Sequence, residues 1–153
     1  MVELGHLTGR KPPFRYAAYT RVAFSDTDAQ GVVYYGRYLP YFDLARTEYH
    51  RHHGPLEAAR TEFVMRASNV EYHAPARFDD ALEVFVRIAA IGRTSVTYDY
   101  AAYRIDDDAD ADADSLMVTA KQILVLIDHT DRTTLAVPES FRKAISTFEG
   151  VDL

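Results

Sequence analysis

Residues 25–48 place a carboxylate loop directly before a helix rich in aromatic residues, and this pairing constrains the rest of the chain. Within it, Tyr38, Phe42, Ala45 and, one residue beyond, Tyr49 recur at helical spacing and form one apolar face. The strand-like segment 15–24 runs into Asp26 and Asp28, then Gly31, whose lack of a side chain suits a special backbone angle or a close approach. The helix is expected over 34–53, with Gly54 and Pro55 as its stop. Pro40 either kinks it or follows an irregular first turn at 34–36, with regular helix from Arg37. The first N–H groups of a helix lack internal partners and carry the positive end of its dipole, so they suit a developing oxyanion. Asp28 stands close enough in sequence to act on the same carbonyl.

The remainder reads as scaffold. Residues 61–72 and 81–91 are strand-like, the second alternating Leu82, Val84, Val86 and Ile88 with Glu83, Phe85 and Arg87. Further strands are expected over 94–103 and 115–127, and a terminal helix over 138–148. One long helix followed by several antiparallel strands with short connections gives an α+β fold in a single domain, 1–153. Residues 1–13 read as an ordered or frayed extension before the first strand, without assigned function. The tract 106–114 carries six Asp residues and lacks the Gly and distal Glu of a calcium loop, so it reads as a solvated hairpin tip.

Composition excludes several classes. No cysteine is present, which removes thiol catalysis and a disulfide scaffold. A net charge of −6 argues against nucleic acid as a partner. No apolar run approaches the ~20 residues of a transmembrane segment, and the first eleven residues lack a signal-peptide core, so a cytoplasmic location is expected. His50, His52 and His53 stand at i, i+2, i+3, a spacing that does not converge on a metal; near the helix C-terminus they are expected to face solvent and complement the dipole. No Gly-x-Ser-x-Gly elbow exists for a serine triad.

Asp-Thr-Asp-x-x-Gly-Val-Val-Tyr at 26–34, Tyr-Leu-x-Tyr-Phe at 38–42 and Ala-Arg-Thr-Glu at 45–48 together resemble the acyl-CoA thioesterases of the 4-hydroxybenzoyl-CoA thioesterase family. The similarity is greatest to the subgroup associated with the Tol-Pal system. It continues through Val-Glu-Tyr-His-Ala-Pro-Ala-Arg-Phe-Asp-Asp at 70–80 and Gly-Arg-Thr-Ser at 92–95, covering roughly 18–145. The resemblance implies a hotdog fold, in which a curved antiparallel sheet wraps around a long central helix. It also implies a homo-oligomer, a dimer or dimer of dimers, with the active site at a subunit interface.

By the same resemblance Asp28 matches the catalytic carboxylate, and Tyr35 matches the residue whose backbone N–H serves as oxyanion donor, with Gly36 beside it. Arg93, Thr94 and Ser95 match the segment that contacts CoA; Arg77, Arg142 and Lys143 are weaker candidates for the nucleotide. Asp26 is expected to bond loop backbone and fix where Asp28 points. Some relatives carry His in place of Tyr35 and Tyr in place of Phe24, so roles of those side chains do not carry over. The implied reaction is hydrolysis of an acyl-CoA to free acid and CoA, with no cofactor and no metal. An acyl carrier protein thioesterase, or a non-catalytic acyl-CoA binding module, are the alternatives. A hydratase on this fold needs a His paired with a carboxylate at the helix tip, where this chain has Tyr35.

Overall fold

The structure, a computed structural model, describes residues 2–54, 61–106 and 115–153. Six antiparallel strands form one sheet in the order β1 (Gly5–Leu7), β2 (Tyr16–Arg21), β4 (Ala81–Ile91), β5 (Ser95–Ile105), β6 (Ser115–Asp128) and β3 (Thr61–Tyr72). The helix α1 (Tyr38–His53) packs against one face. Alternation explains which residues meet it: Leu82, Val84, Val86 and Ile88 from β4, Val96, Tyr98, Tyr100 and Ala102 from β5, and Val118, Ala120 and Leu124 from β6 are all buried in one cluster. The expected helix face supplies the other half of that core, since Tyr38, Phe42, Ala45 and Tyr49 are buried with them, joined by Tyr41.

Of the two expectations for Pro40, the structure has the irregular turn. Tyr35–Arg37 form a 3-10 turn, regular helix begins at Tyr38, and Pro40 is its third residue, where an N–H would have no intrahelical acceptor. The helix ends at Gly54, whose φ of 85° a side-chain-bearing residue rarely adopts. The strand expected over 15–24 stops at Arg21, because Phe24–Asp26 turn into a short 3-10 segment.

The N-terminal extension is structured: β1 pairs with β2. His6 within β1 and Arg10 beyond it both reach the Glu83 carboxylate, at 2.7 and 2.6 Å, and the Phe14 ring packs on Phe85. Glu83 and Phe85, placed by alternation on the face away from α1, are therefore buried too. Two of the three α1 histidines also depart from expectation, while His52 makes an exposed contact with Glu3. His50 lies between Tyr98, Phe63 and Phe141, with its Nε2 2.6 Å from the Tyr98 hydroxyl, and His53 packs on Tyr49 and Phe148. Burial lowers both to a pKa of about 4, so they are neutral and do not complement the helix dipole.

The terminal helix α2 (Glu139–Glu149) covers this end of α1, where the Tyr49 hydroxyl donates to Glu149 Oε1 at 3.0 Å. At the far edge of the sheet β3 pairs, among the described residues, with β6 alone and carries a bulge between Met65 and Ala67. The hairpin tip expected at 106–114 falls, except for Asp106, outside the described residues. Among the described residues no helix is long and apolar enough to cross a membrane.

Candidate active site

Residues 26–34 fold back on themselves just before α1. The Tyr34 N–H donates to the Asp26 carbonyl at 2.9 Å, Thr27 bridges Val33, and the Asp28 N–H donates to the Val32 carbonyl at 2.9 Å. Gly31 closes the tip with φ 78°, its N–H 3.0 Å from the Asp28 carbonyl. Asp28 thus sits in a turn. Its Oδ1 accepts the Gln30 N–H at 2.8 Å, and its Oδ2 has no protein partner among the described residues. An Asp before a helix is commonly an N-cap. Here α1 has Arg37 in that position and no side-chain cap, so Asp28 has a different employment.

Asp26 anchors the hairpin to the helix. Its carboxylate accepts the Ala23 N–H at 2.9 Å, the Tyr41 hydroxyl at 2.6 Å, and Arg37 Nε and Nη2 at 3.2 and 3.0 Å. Burial alone raises a carboxyl pKa, but these four donors outweigh it and hold Asp26 below its ordinary value. Loop, turn and first helical residues are tied to one buried charge. Arg37 and Tyr41 were not singled out from sequence; their spacing of four residues on α1, facing an Asp eleven positions upstream of Arg37, was the available signal.

The turn Tyr35–Arg37 presents amides to open space. Neither the Tyr35 nor the Gly36 N–H finds an acceptor among the described residues. A Cβ added at Gly36 would meet only the Tyr34 ring, at an ordinary 3.5 Å, and the backbone there is not in the left-handed region. Nothing in the chain itself demands glycine at 36. Beside the turn lies a cleft of about 200 Å³ lined by Val32, Val33, Tyr35, Tyr38, Tyr72 and Pro75 among others. His73 reaches this cleft too, but its Nε2 lies 2.9 Å from the Thr119 hydroxyl at a strand end. Tyr72, not chosen from sequence, donates its hydroxyl to the Tyr35 carbonyl at 3.0 Å. Its signal was an aromatic residue ending a strand just before the 73–80 turn. Phe24 packs edge-on against Phe78 on the surface.

Arg93, Thr94 and Ser95 are not brought to this cleft within one chain. The hairpin at 26–34 belongs to the Ala81 end of β4, since Val22 donates to the Asp80 carbonyl and Val33 to that of Ala76. Arg93 follows Ile91 at the other end, eleven strand residues away, which at about 3.3 Å per residue is roughly 35 Å. There Gly92 packs against Ser95, whose Oγ would have to turn aside for a Cβ at position 92. Arg142, a candidate for the nucleotide, instead donates to the carbonyls of Ile91 and Gly92 at 2.9 and 2.8 Å. Lys143 is exposed on α2, and the Arg77 backbone bridges Val32. Arg93 is exposed, and its side chain has no partner among the described residues. Among those residues no group of three His, Asp or Glu is arranged to hold a metal ion.

A six-stranded antiparallel sheet around one long helix, with a carboxylate hairpin at the helix N-terminus, defines the hotdog class expected above. Residues 30–111 match the family model described as the thioesterase superfamily, and the chain belongs to that family. An acyl-CoA thioester hydrolase of Escherichia coli, YbgC, is 36% identical over 124 residues, covering 78% of this chain and 87% of the relative. Among solved structures, a thioesterase superfamily protein from Jannaschia sp. CCS1 superposes with a TM-score of 0.80 at 22% identity, over 92% of this chain and 87% of its own. A 4-hydroxybenzoyl-CoA thioesterase variant crystallised with 4-hydroxybenzoyl-CoA gives 0.73 at 22% identity, over 85% and 97%. At that identity these two structures speak to the fold.

Proposed function

We propose that this chain hydrolyses the thioester of an acyl-CoA in the cytoplasm, with Asp28 as the catalytic carboxylate and the Tyr35 N–H, flanked by that of Gly36, as the oxyanion site. The observation that carries the reading is the pair of unpartnered amides at the helix entry, opening beside an apolar cleft, one hairpin away from a carboxylate with a free oxygen. Similarity to a named acyl-CoA thioester hydrolase over most of both chains supports it. Glycine at 36 fits as well, because only its bare backbone lets a thioester carbonyl approach the amides closely.

Two routes satisfy this arrangement. In one, Asp28 attacks the carbonyl carbon, CoA leaves as thiolate, and water cleaves the resulting mixed anhydride to release the acid and regenerate the carboxylate. In the other, Asp28 takes a proton from water as the oxygen attacks, and the tetrahedral oxyanion collapses with expulsion of the thiolate. A thiolate departs without help from a strong general acid. Asp28→Asn keeps the shape and the bond to the Gln30 N–H while removing both nucleophile and base. We expect kcat to fall roughly a hundredfold or more with acyl-CoA affinity little changed. Thiol release measured beside a thermal melt checks this. An unchanged kcat removes Asp28 from the chemistry, and a wild type silent on a broad panel of acyl-CoAs but binding them points to a binding module.

A further inference from the structure

We infer that Tyr72 is a positioning residue that strengthens the oxyanion site through the peptide between Tyr35 and Gly36. This rests on the hydrolase reading above. The carbonyl of Tyr35 and the N–H of Gly36 belong to one planar amide and point in opposite directions. The Tyr72 hydroxyl donates to that carbonyl at 3.0 Å. A bond to the oxygen draws electron density along the amide and leaves the N–H on the far side more positive, so it becomes a better donor to an incoming oxyanion. The same bond fixes the plane of a peptide whose N–H is not engaged by the chain.

Tyr72 is well held for such a task. It is the last residue of β3, paired with Val118, and the next two N–H groups, of His73 and Ala74, both donate to the Met117 carbonyl at 2.9 and 3.1 Å. Its ring stands edge-on to Tyr35 with centroids 5.3 Å apart and packs against Tyr38 at 5.9 Å. Tyr38 is in turn fixed by accepting the Ala76 N–H at its hydroxyl, at 3.2 Å. The hydroxyl of Tyr72 is therefore aimed by strand and ring packing at the Tyr35 carbonyl.

The test is Tyr72→Phe, which keeps the ring contacts and deletes only the donor. Complete loss of one oxyanion donor costs a hundredfold or more, so weakening one is expected to lower kcat about three- to tenfold, with KM within about twofold and melting within about 2 °C. A second reading uses the Asp28→Asn background, which holds acyl-CoA without turning it over. There the carbonyl stretch of the bound thioester is expected at lower wavenumber than in solution, and adding Tyr72→Phe should move it back toward the free value. A kcat within twofold of wild type, an unmoved carbonyl band, or a loss confined to KM and melting each overturns the inference. If Asp28→Asn is inactive and Tyr72→Phe unaffected, the hydrolase reading stands and this inference falls. If Asp28→Asn is fully active, the reading fails first and the role of Tyr72 goes with it.

Discussion

At the scale of single residues, Gly36 separates a catalytic from a structural account of the helix entry. Its backbone needs no glycine and its surroundings leave room for a methyl group, so the fold should accept Gly36→Ala. Alanine is in general the better helix former, and we expect stability to be unchanged or raised by up to about 1 kcal/mol. Turnover should nonetheless fall tenfold or more, because the added Cβ crowds the carbonyl off the amides. Parallel melts and thiol-release assays decide it; a stable, fully active variant would show that no substrate atom comes close to position 36. Residues of this kind divide in how far sequence reveals them. The place of Asp28 and Gly31 in a turn ahead of the helix was legible because spacing from the helix and the turn chemistry of glycine are local facts. Arg37, Tyr41 and Tyr72 were not, because their importance lies in partners that only the folded hairpin and strand end bring within reach.

Among the elements, the strands from β2 onward were legible from alternation and α1 from its aromatic face, while strand β1 and the burial of His50 and His53 were not, for one shared reason. Charge and polarity in His6, Arg10 and His50 suggest solvent, yet each is met by a group far away in sequence: Glu83 for the first two, the Tyr98 hydroxyl for the third. The packing of α2 on α1 carries a pH dependence with opposing parts. Burial, only partly offset by the Tyr49 hydroxyl, Arg87 and Arg15, raises Glu149 from 4.5 to about 7. The folded state then holds a proton that the unfolded state has lost, so stability declines as pH rises from about 4.5 to 7. His50 and His53, lowered by burial from 6.5 to about 4, act oppositely: stability is lost as pH falls from about 6.5 to 4. Glu149→Gln keeps a partner for Tyr49 and removes the first part. The variant should melt above wild type at pH 8 and together with it near pH 4.5; equal melting at both values would mean that Glu149 is ionised in the folded protein.

For the whole molecule, the separation of Arg93 from Asp28 by the length of β4 has a direct corollary. If Arg93 holds the CoA of an Asp28 site, it comes from another copy of the chain. Alone, Arg93→Ala should raise KM for acyl-CoA more than it lowers kcat, since a phosphate contact remote from the thioester binds ground and transition states alike. Mixed with Asp28→Asn and allowed to exchange subunits, it should regain low-KM activity that neither variant shows by itself, because one site of the mixed pair has both native residues. Failure to regain it, with exchange verified, places any Arg93 contact within one chain or removes it. Light scattering at micromolar concentration is expected to give a dimer or larger, and a fully active monomer would refute that. In this setting β3 stands out, a strand of twelve residues with one flank unpaired among the described residues. Such a rail of free N–H and C=O groups binds any extended peptide that reaches it first. If that other copy docks along β3, a newly made chain is in a race between its own twin and a stray strand, and the bend that the Met65–Ala67 bulge puts into β3 makes it a poorer match for a flat peptide.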